Sequence, residues 1–225
     1  MALNGIGLLE KVSIRERIGR ALRAAIVSGE MEPGVVYSAP ALGARFGVSA
    51  TPVREAMLDL VKEGLVDVVP NKGFRVTEIG ESDLDEITEL RLLIEPPVVR
   101  QVTRHIPAED LPVLRELAQV IVDCANEGNL VEYTEADRVF HLRLLSYADN
   151  TRMTNLVFDL RAHTRLFGLS SLLERGELVD SAREHLDIVD TIERRDPRAV
   201  ERLMRNHIRQ TRGRWAKPPD LSGKP

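Results

Sequence analysis

The run Gly47-Val48-Ser49-Ala50-Thr51-Pro52-Val53-Arg54-Glu55-Ala56-Met57 reads as a turn feeding a helix. Ser49 or Thr51 offers a hydroxyl to cap the orphan N–H groups of the helix start, and Pro52 is tolerated in a first turn, where it loses no helical hydrogen bond. Ser49, Thr51 and Arg54 then gather at an electropositive helix end, which suits phosphate or a base edge. Upstream, residues 38–46 form a short helix with Leu42 and Phe46 on one face and Arg45 beside them. Gly47 supplies the tight turn between two crossed helices. Downstream, Val53, Met57, Leu60 and Val61 recur every three or four positions up to Gly64. Residues 65–69 and 74–77 then read as two short strands joined by the turn Pro70-Asn71-Lys72-Gly73. A hairpin carrying Lys72, Gly73 and Arg75 near its tip is a wing, placed to touch phosphate or minor groove beside a reading helix. The N-terminal unit, residues 1–78, is therefore expected to be a winged helix-turn-helix with Arg45, Ser49, Thr51, Arg54, Lys72, Gly73 and Arg75 as its contacts to double-stranded DNA.

Composition agrees with a protein of two parts. The chain has 225 residues, 43% hydrophobic and 29% charged, with a net charge of -4, ordinary values for a globular protein able to bury a core. The charge is uneven: residues 1–78 hold ten Lys and Arg against nine Asp and Glu, so of the 31 basic and 35 acidic groups the remainder holds 21 and 26. The slightly positive end is the DNA-binding candidate. The single Cys124 excludes an internal disulfide and reads as a small core residue. Residues 1–25 lack the pattern of a secretion signal, and no apolar run reaches membrane-spanning length. A cytoplasmic location without membrane contact is expected.

Residues 82–216, after a hinge at 79–81, read as an antiparallel all-α bundle. Ser82 caps a helix with Leu84, Ile87, Leu90, Arg91 and Ile94 on its inner face, broken or kinked at Pro96-Pro97 before ending near His105. Residues 107–127 give a second helix with Leu111, Leu114, Leu117, Ile121 and Val122 inward, and residues 130–148 a third. Asn150 caps a fourth running through Leu156, Leu160 and Leu166 toward Ser170. Residues 178–195 form a fifth, and Asp196-Pro197 starts a sixth that runs to Trp215. Residues 217–225 are polar and rich in Pro and Gly, the composition of a disordered tail.

Inside this bundle lies a constellation with metal chemistry. Asp137 and His141 stand one turn apart on a single helical face. His185 shares a stripe with Ala182, Ile188, Val189 and Ile192, and His207 shares one with Val200, Leu203 and Met204. Any one inward histidine reads most simply as a partnered core residue. Three from three helices, with an Asp one turn from the first, read better as a convergent site for one divalent transition metal per chain, zinc first, with nickel or manganese as alternatives. His105 and His163 fall outside the pattern. Arg91 is a candidate effector contact that would equally form an ion pair with Glu95, and Asn150 and Arg161 are further candidate effector contacts.

Two resemblances sharpen this reading. Gly29-Glu30-Met31-Glu32-Pro33-Gly34, Ala41-Leu42-Gly43-Ala44-Arg45-Phe46-Gly47-Val48-Ser49-Ala50-Thr51-Pro52-Val53-Arg54-Glu55-Ala56, Glu63-Gly64-Leu65-Val66 and Pro70-Asn71-Lys72-Gly73-Phe74-Arg75-Val76 resemble the winged-helix domain of GntR-type bacterial transcription regulators. The family often carries Arg where this chain has Ala50, which bears on the operator sequence and not on the class of ligand. Asp137-Arg138-Val139-Phe140-His141, Glu184-His185-Leu186-Asp187-Ile188 and Met204-Arg205-Asn206-His207 resemble signature segments of the helical ligand-binding domain on the fatty-acid-regulator (FCD) branch of that family. The resemblance implies Asp137, His141, His185 and His207 as metal ligands.

The resulting expectation is a homodimeric, ligand-responsive regulator that binds a pseudo-palindromic operator and answers to a small organic acid at the metal. A metal-dependent hydrolase or oxygenase-like bundle enzyme is the alternative. The chain offers it no paired Glu-x-x-His motifs, no nucleophile spaced with a base and no glycine-rich phosphate loop.

Overall fold

Ser13 opens the first helix, α1 (Ile14–Val27), with a capping box: its Oγ accepts from the Glu16 amide at 3.1 Å while the Glu16 carboxylate accepts from the Ser13 N–H at 2.8 Å. The computed structural model describes residues 13–78, 80–164 and 169–215. Residues 216–225, which include the whole of the expected tail, and Ile79 of the expected hinge lie outside them, as does Leu166. Ile18, Leu22 and Ile26, spaced by four, form the buried stripe of α1.

Two further helices complete the expected motif. Ser38 caps α2 (Ala39–Phe46) by accepting from the Ala41 amide, and Gly47 ends it in the left-handed conformation with φ 68°. The next helix, α3 (Ala50–Lys62), buries Val53, Ala56, Met57 and Leu60. Ser49 occupies its N-cap position, but its side chain makes no capping bond, and Thr51 lies inside the helix, so neither hydroxyl caps it. Phe46 is 38% exposed while Leu42 is buried; α2 ends at Phe46, and no further turn shields the ring.

The wing is a sheet of three strands, one more than expected. β1 (Val36–Tyr37), β2 (Val66–Val69) and β3 (Gly73–Val76) pair antiparallel in the order β1-β3-β2, with Val36 opposite Arg75 and Val68 opposite Phe74. A two-residue strand offers too little alternation to be read from sequence. Gly73 has φ 138°, and a Cβ there would overlap the Tyr37 carbonyl oxygen of β1. Its role is to let two strands approach.

The remaining helices are α4 (Glu81–Val102), α5 (Leu111–Glu127), α6 (Leu130–Ser146), α7 (Thr151–Thr164), α8 (Leu169–Glu174), α9 (Leu178–Glu193) and α10 (Pro197–Trp215), with a 3-10 turn at Ala108–Asp110. Helix α4 packs on α10, α5 lies between α6 and α9, and α9 also packs on α10. Several expectations need correction. Helix α4 takes Gly80 as its N-cap, so Ser82 sits in the first turn. It runs unbroken through Pro96 and Pro97: each ring is compatible with helical φ and removes one N–H, freeing only the carbonyls of Leu92 and Leu93. Its inner stripe is Leu84, Arg91, Glu95, Pro96, Val99 and Val102, leaving Leu90 44% and Leu93 66% exposed. The helix is turned toward its charged residues because they find buried partners there. On α7 the buried position is Val157 rather than Leu156, which is 47% exposed. This rotation carries Arg161, one turn on, into the interior. Of the segment expected as one helix toward Ser170, the described residues give α7 and α8, and residues 165–168 between them lie outside the described residues.

Buried apolar residues form two clusters, one from α1, α2, α3 and the sheet, the other from the bundle. Val27, the last residue of α1, belongs to the bundle cluster, and its carbonyl accepts from Ser170 Oγ at 3.2 Å. The winged-helix unit is thus tied to the bundle by its first helix. Gly73→Ala is expected to lower stability by at least ~1–3 kcal/mol, the cost of a residue in a sparsely populated backbone region. Denaturant unfolding measures this, and a variant as stable as wild type would show that the wing accommodates a Cβ.

Candidate metal centre and nucleic-acid face

Asp137 and His141 project from α6, His185 from α9 and His207 from α10, and one ligand atom of each lies within 4.8 Å of all the others. The three imidazoles are buried. His185 Nε2 stands 3.1 Å from Asp137 Oδ1 and 3.1 Å from His141 Nε2, and His141 Nε2 stands 3.5 Å from Asp137 Oδ1. The rings of His141 and His207 stack with centroids 5.2 Å apart, and those of His185 and His207 meet edge to face at 4.7 Å. Phe140, fully buried, sets its ring 5.2 Å from both His141 and His185.

Groups behind the rings decide which nitrogens face inward. His185 Nδ1 lies 3.0 Å from the Ala182 carbonyl oxygen and His207 Nδ1 lies 2.7 Å from Glu184 Oε2. Both partners are acceptors, so each Nδ1 carries the proton and each Nε2 presents a lone pair. Asp137 is oriented likewise: Arg161 Nη2 donates to Oδ2 at 2.6 Å, leaving Oδ1 toward the histidines. Ligand bonds of ~2.0–2.1 Å would set adjacent donors ~3.0–3.4 Å apart. The observed spacings of 3.1 and 3.5 Å suit such an ion. Neutral imidazole with carboxylate is a borderline donor set, suited to zinc and its neighbours.

Electrostatics agree. Burial, followed by the Arg161 charge, holds His141 well below the ordinary imidazole range, and burial lowers His207 despite Glu184. Both are neutral, the form that coordinates. For Asp137, burial is the largest influence and opposes ionisation, but Arg161 and the histidines outweigh it and hold the carboxyl well below its usual value. Burial likewise opposes the charge of Glu95, yet Arg91 and Arg161 bring its carboxyl down to about 2. Arg91 Nε donates to Glu95 Oε1 at 2.6 Å and Arg161 Nη1 donates to Glu95 Oε2 at 2.9 Å. Two guanidiniums and two carboxylates therefore balance inside the bundle.

The candidate effector contacts fare differently. Arg91 is committed to Glu95, and Arg161 spans Glu95 and Asp137. Asn150 is exposed and caps α7, accepting from the Met153 amide at 3.0 Å, so it is a surface residue. His105 sits on the surface with Nδ1 3.1 Å from the Gln101 carbonyl oxygen, away from the cluster. The side chain of His163 lies outside the described residues. Sequence reasoning named Glu95 as an ion-pair partner of Arg91, which it is, but not as a group beside the histidines, and it missed the supporting role of Glu184. Their signals were present as the Arg91-x-x-x-Glu95 spacing and the Glu184-His185 pair.

On the other unit, Ser49, Thr51 and Arg54 are exposed at the start of α3, and Lys72 and Arg75 are exposed on the wing. Arg45 pairs with Glu30 at 2.9 Å, both largely exposed, an interaction worth ~0–1 kcal/mol that yields readily to a phosphate. Ala50 is partly buried against the winged-helix core, so it is not the freely exposed helix start expected for a groove-facing position. Among the described residues no helix is long and apolar enough to cross a membrane.

The buried histidines also predict a pH response of the metal-free protein. The folded-state values of His141 and His207 lie below the unfolded value of ~6.5, so the unfolded chain binds more protons, and stability is present above that value and lost as pH falls below it. The lowered carboxyls of Asp137 and Glu95 add a second loss below ~4. Urea unfolding of chelator-treated protein at pH 7.5, 6 and 5 is expected to show decreasing stability. A flat profile would mean that these rings are solvated.

Comparison with known proteins bears on both units. A model of the gntR family of bacterial regulatory proteins matches residues 14–76, and a model of the FCD domain matches residues 86–210. The HTH-type transcriptional regulator McbR of Escherichia coli K12 is 28% identical over 185 residues, covering 81% of this chain and 82% of McbR. The HTH-type transcriptional repressor RspR of the same organism is 28% identical over 197 residues, covering 88% and 86%. The solved structure of E. coli McbR/YncC shares the fold with a TM-score of 0.66 and 24% identity, over 88% of this chain and 95% of that one. A putative GntR regulator from Rhodococcus sp. RHA1 does so with a TM-score of 0.66 and 22% identity, over 91% and 99%. These matches are to transcription regulators, which sets the enzyme alternative aside. With a winged helix at one end and a histidine-lined helical bundle at the other, the chain belongs to the GntR family of bacterial regulatory proteins, in its FCD-domain branch.

Proposed function

We propose that this regulator binds a pseudo-palindromic operator as a homodimer in the cytoplasm, through a winged helix-turn-helix of residues 1–78. A divalent transition metal, zinc first, held by Asp137, His141, His185 and His207 in a unit of residues 82–216, makes that binding responsive to a small carboxylate. The observation that carries the reading is the convergence of Asp137 Oδ1 with inward-facing imidazole nitrogens. Lone pairs and a carboxylate oxygen this close repel one another unless a proton or a cation lies among them, and one proton shared by two imidazoles leaves the other donors facing each other, a set that a metal ion satisfies together. A bound metal would supply a Lewis acid able to take a ligand oxygen. Arg91 and Arg161 balance Glu95 and Asp137, and Glu184 behind His207 offsets only part of a divalent ion's charge, so the positive charge that remains favours an anionic effector.

Helix α6 supports a physical route from that site to DNA. Its inner face carries Asp137 and His141, while Val131, Thr134, Glu135 and Arg138 line a cavity of about 470 Å³ against Arg20, Arg23 and Val27 of α1. Helix α1 in turn packs on α3, where Arg15 pairs with Asp59 and Arg23 with Glu63. A shift of α6 on ligand binding would thus reach the reading helix through α1, beside the hinge at 79–81. Coupling of ~1–3 kcal/mol is typical of such devices. The exposed Leu90 and Leu93, neighbours on α4, support an apolar contact between protomers.

Elemental analysis of the purified protein is expected to find about one divalent transition metal per chain, largely lost in His185→Ala or His207→Ala and retained in His105→Ala. Wild-type protein that stays metal-free after incubation with zinc, nickel and manganese would refute the metal reading. For DNA, Arg54→Ala is expected to weaken specific binding by ~1–3 kcal/mol, whereas Lys72→Ala should lower affinity for all sequences and reduce the salt slope by about one. Operator titrations at two salt concentrations separate the two, and unchanged affinity in both variants would sink the docking scheme.

A further inference from the structure

Glu95 touches none of the expected ligands at hydrogen-bond distance, yet both buried arginines behind the metal centre converge on it. We infer that Glu95 is a positioning residue that accepts the Nδ1 proton of His141 once a metal ion holds Nε2, and thereby raises the affinity of the centre for that ion. This inference rests on the metal reading above.

The carboxylate of Glu95 is wholly buried in α4. Oε1 accepts from Arg91 Nε at 2.6 Å and Oε2 accepts from Arg161 Nη1 at 2.9 Å. These two guanidiniums hold it in place and keep it charged. On its third side lies His141, whose Nδ1 is buried without a hydrogen-bond partner among the described residues, 3.9 Å from Glu95 Oε2. Of the three histidines, it is the one whose outer nitrogen has no acceptor in contact.

A neutral imidazole carries one proton, and its place matters here. With the proton on Nε2, the ring donates across the 3.1 Å gap to His185 Nε2, and the bare Nδ1 lone pair faces a carboxylate. With the proton on Nδ1, Nε2 turns a lone pair toward Asp137 Oδ1 and His185 Nε2, an arrangement that needs a cation. The Nδ1–H then aims at Glu95, and a shift of about 1 Å closes the gap to an ordinary hydrogen bond of ~2.9 Å. Metal occupancy and the Glu95 bond therefore favour the same tautomer. A carboxylate behind a ligating histidine also raises the basicity of the coordinating nitrogen, and removing such a partner commonly weakens metal binding 10–100-fold. Through Arg161 the same Glu95 steadies Asp137, so both α6 ligands take their orientation from α4.

The test uses the full chain with zinc as the probe. Chelator competition is expected to show zinc binding weakened ~10–100-fold in Glu95→Asp, which keeps the charge but withdraws the carboxylate, and in Glu95→Gln. Histidine 15N–1H correlation spectra are expected to show His141 protonated on Nε2 in the metal-free wild type and on Nδ1 in the zinc-loaded form. Folded variants with wild-type zinc affinity would overturn the role of Glu95, as would a zinc-loaded wild type with His141 still protonated on Nε2. Should Glu95→Gln fail to fold, Glu95→Asp and the wild-type spectra decide. Wild-type protein that takes up no zinc overturns the metal reading itself, a result distinct from zinc uptake that Glu95 does not influence.

Discussion

Burial of charge is tolerated in this bundle because each charge meets its opposite. Arg91, Glu95, Arg161 and Asp137 form a chain of ion pairs running from α4 through α7 to α6. Removing one member of such a chain would strand a charge in a low-dielectric interior, at several kcal/mol. That constraint sets the rotation of α4 and α7 about their own axes. Leu90 and Leu156 are turned outward so that Arg91 and Arg161 can be turned in. It also sets the orientation of Asp137, whose Oδ2 is held by Arg161 and whose Oδ1 is left toward the histidines. The candidate metal centre is one end of this network.

Helix α6 has two working faces. Positions 133, 137, 140, 141 and 144 face the interior and the candidate centre, while positions 131, 134, 135 and 138 face α1 of the winged helix. Helical periodicity makes this division unavoidable, because residues three and four apart share a side. With Val27 of α1 in the bundle core and Ser170 bonded to its carbonyl, the two units meet at a packed joint as well as at the covalent connection near residue 80. Packed joints have discrete arrangements rather than continuous ones, which gives an event at the histidines a way to alter the DNA-binding unit.

What the sequence determined by itself was whatever depends on neighbours along the chain. The turn at Gly47, the helices on either side and the Lys72-Gly73 turn follow from local conformational preference. The Asp196-Pro197 start of α10 does too, its Asp196 carboxylate accepting from the Arg198 and Ala199 amides as a cap should. The helical spacing of Asp137 and His141, and the apolar stripes containing His185 and His207, are local in the same sense and brought the four candidate ligands into view. Only the tertiary structure decided matters that depend on partners distant in sequence. Pro96-Pro97 continues a helix whose inner face, Pro96 included, is buried against the bundle, while Pro97 stays exposed. Gly73 proved to be a place where β1 comes close, and Asn150 a surface cap. Arg91 and Arg161 became internal counter-ions through pairings 4, 66 and 24 residues apart. The physical reason is that an apolar stripe marks only which face is inward on average, whereas a buried charge goes where an opposite charge awaits it, and that partner is chosen by the fold.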